Sequence, residues 1–169
     1  GSYSSTEGIN NEASGVCSHA EGSGTKASSE SSHAEGAGST ASGKYSHAEG
    51  HGVSSGEASH AEGSGKASAS YSHAEGSGTT ASGSSSHAEG SGTTASGGYS
   101  HAEGVSTTAS NMASHAEGGN YGTDRKTLGD VSVTSSDFSE IKGTIKIKGP
   151  LSYGIQSHAE GTQTLAYGY

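Results

Sequence analysis

The sequence has almost none of the residues that build a conventional hydrophobic core. Its 169 residues include no Trp, one Phe, one Met, one Pro and one Cys, and only 27% of them are hydrophobic. Ordering one residue costs about 1–2 kcal/mol of backbone entropy, and so little apolar burial does not offset that cost in a two-layer domain. A conventional globular core is therefore excluded for most of the chain.

Other absences exclude whole classes of protein. Cys17 is alone, so no intramolecular disulfide forms, and Gly does not recur at every third position as a collagen helix requires. No apolar run is long enough to cross a membrane. The formal net charge of −9 lacks the clustered basic face that binds nucleic acid. We expect no nucleic-acid partner and no membrane contact within this stretch.

What the sequence does contain is a repeat. The motif SHAEG occurs nine times at a nearly constant spacing until a much longer final step to His158, and a degenerate copy stands at 4–8. A second half-motif, such as TTAS, places an Ala shortly before the next His. Two of the steps, those that end at His60 and His73, are one residue shorter, and the residue is lost directly after the SHAEG glycine, in an expected turn. Disorder does not preserve such a register, so we predict regular structure over residues 3–118.

The period predicts one coil of a β-solenoid, because a repeat of about 14 residues accommodates two short extended segments and two turns. Side chains alternate between faces in an extended segment, which puts Ser86, Ala88 and Gly90 on one face and His87 and Glu89 on the other. Only a narrow coil is filled by such small residues, so they are predicted to lie inside. The His and Glu residues of successive coils should then stack as two columns on an outer face.

The pattern SHAEGxxTxASGxYSHAEG resembles the head repeat of YadA-like trimeric autotransporter adhesins, whose equivalent segment commonly reads SVAIG. The resemblance covers residues 3–118 and 157–169. It implies an all-β, left-handed parallel β-roll assembled as a homotrimer, in which Ala fills the roll and the residues on either side of it face the other subunits. The SHAEG variant also resembles repeats of phage tail fibres and other surface fibres.

Carried over to this chain, the resemblance assigns two sets of residues. The roll interior would contain Ala20, Ala34, Ala48, Ala61, Ala74, Ala88, Ala102, Ala116 and Ala159. The inter-subunit ladder would consist of His19, Glu21, His33, Glu35, His47, Glu49, His60, Glu62, His73, Glu75, His87, Glu89, His101, Glu103, His115, Glu117, His158 and Glu160. An apolar contact between subunits is thereby replaced by an ionic one.

The repeat divides the chain into three parts. Residues 1–118 are predicted to form the SHAEG-repeat β-roll, residues 119–156 an inserted β-rich segment, and residues 157–169 a resumed roll. The insertion holds five of the eight Lys and Arg residues and alternates at 145–148 as a half-buried strand does. It is expected either to bind a ligand or to clamp the trimer.

Several sharper functions compete with a structural ladder. Catalysis requires one distinctive constellation in a pocket, whereas the motif supplies equivalent copies along a line, so we expect no catalytic residues and no enzyme activity. Zn or Ni binding by His and Glu is a weaker prediction than a hydrogen-bonded ladder, so we assign no metal ligands and no cofactor. Lys26 and Lys66 interrupt the Thr column that ice binding needs.

The sequence thus predicts a non-enzymatic trimeric surface fibre, a head or shaft that mediates or displays adhesion. Its expected partners are two further copies of itself and a host-cell surface, matrix protein or glycan. Its expected location is extracellular, at the cell surface or outer membrane. The alternative is the shaft of a bacteriophage tail fibre or receptor-binding protein on a virion. We also expect mostly neutral or alternately protonated imidazoles near pH 7 and a loss of stability on acidification.

Overall fold

The computed structural model describes residues 1–119 and three short strands near the C-terminal end, Leu151–Tyr153, His158–Ala159 and Leu165–Tyr167. These residues form an all-β parallel solenoid with about 14 residues in each coil. No helix occurs among them, and thus none that is long and apolar enough to cross a membrane. The solenoid and its coil length predicted from the repeat are confirmed.

Each coil contributes one strand to each of two parallel sheets. The first sheet contains the SHAEG strands β1 (Ser5–Ile9), β3 (His19–Ser23), β5 (His33–Ala37), β7 (His47–Ala48), β9 (His60–Ala61), β11 (His73–Ser77), β13 (His87–Ser91), β15 (His101–Val105), β17 (His115–Ala116) and β19 (His158–Ala159). The second contains β2 (Glu12–Ala13), β4 (Lys26–Ala27), β6 (Thr40–Ala41), β8 (Val53–Ser54), β10 (Lys66–Ala67), β12 (Thr80–Ala81), β14 (Thr94–Ala95), β16 (Thr108–Ala109), β18 (Leu151–Tyr153) and β20 (Leu165–Tyr167).

The register follows the sequence repeat from coil to coil. His73 pairs with His87, and His87 pairs with His101, so identical residues lie directly above one another. The two shorter coils keep this register because the missing residue is taken from a turn. There the SHAEG strand shortens to His47–Ala48 or His60–Ala61, and the amide of Gly52 donates to the carbonyl of Glu49 at 3.0 Å. Deleting a turn residue leaves both sheets continuous.

Within residues 1–119 the interior is filled by small side chains. The alanines of both half-motifs are completely buried, and between them lie buried Ser and Thr residues such as Ser86 and Thr79. Backbone hydrogen bonds between coils hold the stack, as from the amide of His87 to the carbonyl of Ser100 at 2.9 Å. The eight predicted interior alanines between Ala20 and Ala116 all have no exposed surface.

The parity argument is wrong at the last residue of the motif. Alternation places Gly90 on the inner face with Ser86 and Ala88, but it is exposed, with a φ of +104°. An L side chain rarely adopts this conformation, and a Cβ at Gly90 would stand 2.1 Å from the carbonyl oxygen of Gly104 in the next coil. The chain therefore leaves the regular alternation here, and Gly is required for the coil to turn.

One corner of the coil holds a column of residues with positive φ. Its members are Tyr3, Cys17, Ser31, Tyr45, Ala58, Tyr71, Ser85, Tyr99 and Ala113, with φ between 50° and 60°. Cys17 and the tyrosines of this column are exposed. Cys17 thus occupies an ordinary corner position.

The repeat continues beyond the residues described first. β18 pairs with β16, with Leu151 opposite Thr108, and β19 pairs with β17, with His158 opposite His115. Both sheets are therefore extended by strands that follow a long connection. Residues 120–150, which make up most of the predicted insertion, lie outside the described residues. The ligand-binding or clamping role of that insertion stays a prediction.

Candidate functional site

The candidate site is a ladder of His and Glu side chains on the outer face of the first sheet. We use "histidine column" and "glutamate column" for the eight His and eight Glu residues of the SHAEG motifs between His19 and Glu117. Strand register places the histidines above one another, and their side chains are half-buried. From His33 to His115 the imidazole rings are stacked, with centroids 4.7–4.8 Å apart and planes within 16° of parallel.

The two columns contact each other within and between coils. The Nε2 atom of His101 lies 3.6 Å from a carboxylate oxygen of Glu89 in the preceding coil and 3.8 Å from one of Glu103 in its own coil. His87 is related in the same way to Glu75 and Glu89, at 3.9 Å each. These separations exceed the roughly 2.7–3.2 Å of a good hydrogen bond. The contacts are electrostatic when the imidazole is charged and weak when it is neutral.

Partial burial keeps several imidazoles uncharged. Desolvation lowers the pKa of His33, His60 and His87, and the neighbouring histidines of the column add to the decrease because a second positive charge would lie one coil away. A pKa below the ordinary value of about 6.5 leaves these three rings neutral at neutral pH. At these three residues the direction agrees with the expectation of mostly neutral or alternately protonated imidazoles.

Protons are shared at two places in the glutamate column, Glu49 and Glu89. Hydrogen bonds to Glu103 and then Glu75, with burial, raise the pKa of Glu89 to about 7, and the hydrogen bond to Glu62 does most to raise that of Glu49 to about 7. The same hydrogen bonds from Glu89 lower the pKa of Glu75 and Glu103. A protonated carboxyl group at Glu89 thus donates its single proton to the ionised carboxylate of one neighbouring coil. Near neutral pH the column carries less negative charge than its residue count suggests.

The surroundings of the ladder repeat closely at His87 and His101. Each of these imidazoles is stacked between two others and lies within 4 Å of one carboxyl group in its own coil and one in the preceding coil. Two histidines of adjacent coils and the Glu between them do bring three potential ligand atoms within 4.8 Å of one another. The chemistry open to the ladder is therefore proton sharing and metal coordination.

Most of the residues predicted for the site are brought together. The alanines lie inside and the His and Glu residues outside, in adjacent columns; His51, outside the motif, is an exposed turn residue. His158 and Ala159 pair in register with β17, whereas Glu160 lies outside the described residues. The assignment of the ladder to a contact between subunits stays a prediction.

Sequence reasoning missed the departure at the N-terminal end of the histidine column. The ring of His19 meets that of His33 at 80° instead of stacking on it, and the Nδ1 atom of His19 lies 2.7 Å from the Oγ atom of Ser5. The signal was present in the sequence, because the degenerate first copy of the motif has Ser5 where later copies have His.

No protein-family model matches this chain, and no curated protein shows a significant sequence match to it. The function is therefore argued from the ladder and the solenoid.

Proposed function

We propose that this chain is a head or shaft segment of a homotrimeric surface fibre that mediates or displays adhesion, and that it has no enzymatic role. In this proposal three left-handed rolls lie side by side, and their ladders form the contacts between subunits. The support from sequence is the resemblance of the SHAEG repeat to the heads of YadA-like trimeric autotransporter adhesins. A host-cell surface, matrix protein or glycan would be the partner, and the cell exterior the location.

The observation that carries the proposal is the unbroken register of the ladder. Sizeable side chains that repeat every coil along one straight face allow a second identical face to meet them at every coil. The His and Glu side chains keep about a third of their surface exposed, as with 36% and 31% for His87 and Glu89. That remaining surface is available for burial against another chain.

The charge of the ladder is compatible with such a contact. Three columns of fully ionised carboxylates would repel one another, and like charges opposite one another in neighbouring strands destabilise pairing. Shared protons at Glu49 and Glu89, and neutral rings at His60 and His87, reduce the charge that would be brought together at neutral pH. An unpaired buried charge costs several kcal/mol, so this reduction favours close approach.

Light scattering after size-exclusion chromatography tests the assembly. We expect a mass three times the 16.4 kDa of one chain at pH 7. A variant with His73, His87 and His101 replaced by Val should remain trimeric, because apolar residues at these positions restore the apolar contact of the similar adhesin repeats. A folded monomer at micromolar concentration would refute the trimer.

Surface binding tests the adhesive role. The trimer, immobilised on beads, should bind to cells, extracellular matrix proteins or a glycan array more strongly than a control bead coated with a scrambled-sequence peptide of equal charge. A stable trimer that binds none of these three surfaces would leave the assembly intact and refute adhesion by this segment.

A further inference from the structure

One pair of imidazoles departs from the stacking seen along the rest of the ladder. The rings of His19 and His33 have centroids 5.0 Å apart and planes at 80°, whereas the pair formed by His73 and His87 is parallel to within 2°. The cause lies in the coil before His19, where Ser5 takes the place of a His. The Oγ atom of Ser5 holds Nδ1 of His19 at 2.7 Å, so a hydrogen bond replaces ring stacking on that side.

The rings of His19 and His33 share one carboxylate. The Nε2 atom of His19 lies 3.5 Å from Oε2 of Glu21, and the Nε2 atom of His33 lies 3.8 Å from Oε1 of the same residue. The ligand atoms of the three residues are within 4.8 Å of one another. Two ligands that each stand about 2.1 Å from a tetrahedral zinc ion are about 3.4 Å apart. The distance between Nε2 of His19 and Oε2 of Glu21 is already close to this value. The other distances between ligand atoms must shorten by about 1 Å for an ion to be bound by all three residues.

We propose that His19, Glu21 and His33 form a binding site for a divalent transition-metal ion of the zinc type, with water as the fourth ligand. Two imidazole nitrogens and one carboxylate are a ligand set that zinc accepts, with one position left open to solvent. All three protein ligands belong to one chain, so an ion can bind before the chains of the proposed trimer assemble. The site adds a metal-binding function to that of a fibre.

The surroundings of the three residues suit a metal ion. The Nε2 atom of His33 is shielded from solvent and has no hydrogen-bond partner, so its lone pair is available to a ligand that enters between the rings. In a single chain the Glu21 side chain is 37% exposed, which leaves a path for an ion and its water before assembly. When Nδ1 of His19 donates its proton to Ser5, Nε2 carries the lone pair, and an outer partner of this kind orients a metal-binding imidazole.

The regular copies of the ladder suit an ion less well. The nitrogen lone pairs of two stacked imidazoles lie in the planes of parallel rings, so they point in parallel directions and not toward one ion. At His73, Glu75 and His87 the rings stand 4.7 Å apart, and the nitrogen–oxygen separations are 3.8 and 3.9 Å. Coordination there would require unstacking a ring from neighbours on both sides. These copies serve as internal controls for the proposed site.

Isothermal titration calorimetry with ZnCl₂ at pH 7.5 tests the site. We expect one tight site per chain, together with weaker binding along the rest of the ladder. His19→Gln and Glu21→Gln should each remove the tight site, and Ser5→Ala should weaken it about 10-fold, through loss of the partner that orients the ring. His87→Gln, in the regular part of the ladder, should leave the tight site unchanged. Circular dichroism establishes that each variant is folded.

Two results would overturn the proposal. One is a wild-type chain that binds Zn²⁺ with equal, weak affinity at every coil. The other is a tight site that is lost equally in His19→Gln and His87→Gln, which would place the ion elsewhere. Co²⁺ provides an independent measurement: a tetrahedral visible absorption band should appear with the wild type and with His87→Gln, but not with His19→Gln.

Discussion

Two glycines of one coil test whether close contact between coils or local conformation makes glycine necessary. Gly76 has a φ of +99°, and a Cβ added to it would stand 2.2 Å from the carbonyl oxygen of Gly90 in the next coil. Gly78, two residues later, has a φ of +66°, and an added Cβ would meet nothing within 4 Å. Replacing each by Ala therefore separates conformational strain from a clash between coils.

The expected magnitudes follow from these geometries. Gly78→Ala introduces only a left-handed alanine, which costs about 1–2 kcal/mol. Gly76→Ala carries at least that penalty, because its φ lies farther from the centre of the left-handed region than that of Gly78. It must also move the next coil by about 1 Å to restore a carbon–oxygen contact, which breaks about two hydrogen bonds worth about 1 kcal/mol each. The total for Gly76→Ala is about 3–4 kcal/mol.

Thermal unfolding followed by circular dichroism measures the difference. For a chain of this length each kcal/mol lowers the melting temperature by about 2–4 °C, so Gly76→Ala should melt about 4–8 °C below Gly78→Ala. Equal melting temperatures for the two variants would refute the argument, because they would mean that the coils tolerate a methyl group between them.

Three further predictions concern the ladder and the interior. The difference in melting temperature between Glu89→Gln and the wild type should shift in favour of the variant by about 2–4 °C as pH rises from 5.5 to 8.5. Glu103→Gln should be less stable than the wild type across that range. If both variants followed the pH profile of the wild type in parallel, the sharing of protons would be contradicted. Thr79→Val should raise the free energy of unfolding by up to about 1 kcal/mol, since it removes a buried hydroxyl group with no hydrogen-bond partner. Thr107→Val should lower the free energy of unfolding by about 1 kcal/mol, because the Thr107 hydroxyl group donates to the Glu103 carbonyl at 3.0 Å. Chemical denaturation measures both variants, and a Thr107→Val variant more stable than Thr79→Val would contradict these hydrogen-bond assignments. Ala88→Leu should lower the free energy of unfolding by at least about 1–3 kcal/mol, as an overpacked core requires, and an unchanged value would show that the interior has room.

The pH prediction depends on the sign of each pKa shift. The pKa of Glu89 is raised from 4.5 to about 7, so its contribution to stability is complete below pH 4.5 and is lost as pH rises through 7. A Gln at this position resembles the protonated carboxyl group and does not titrate, so its contribution to stability does not change with pH. The pKa of Glu103 is lowered, so its contribution is present above pH 4.5 and is lost on acidification. A lowered pKa at His60 and His87 adds a loss as pH falls through 6.5.

The sequence predicted those features that depend on spacing alone. Equal steps between SHAEG motifs were enough to place His87 beside His73 and His101 in neighbouring coils, and the size of Ala88 was enough to place it inside. Gly90 was misplaced because alternation assumes an extended backbone, which a φ of +104° interrupts.

Features that depend on side-chain orientation were beyond the sequence. The sharing of protons in the glutamate column could not be predicted, because the sequence does not show that carboxyl groups in adjacent coils are close enough to hydrogen-bond. The rotation of His19 depends on which rotamer Ser5 stabilises, although the substitution itself was visible. The predicted contact between subunits involves surfaces of separate chains, which no pattern within one chain measures.

The stacking of whole coils makes this solenoid a rod whose length is set in fixed steps. Each coil advances the rod by about 4.8 Å, whereas an α-helix of the same number of residues would extend about 21 Å. Each added repeat lengthens such a rod only a little, but it adds one residue to every surface column. Because the shorter coils keep the same register as the others, gain or loss of a coil changes the length without disturbing its neighbours. Repeat number can therefore vary while the cross-section and both sheets stay unchanged.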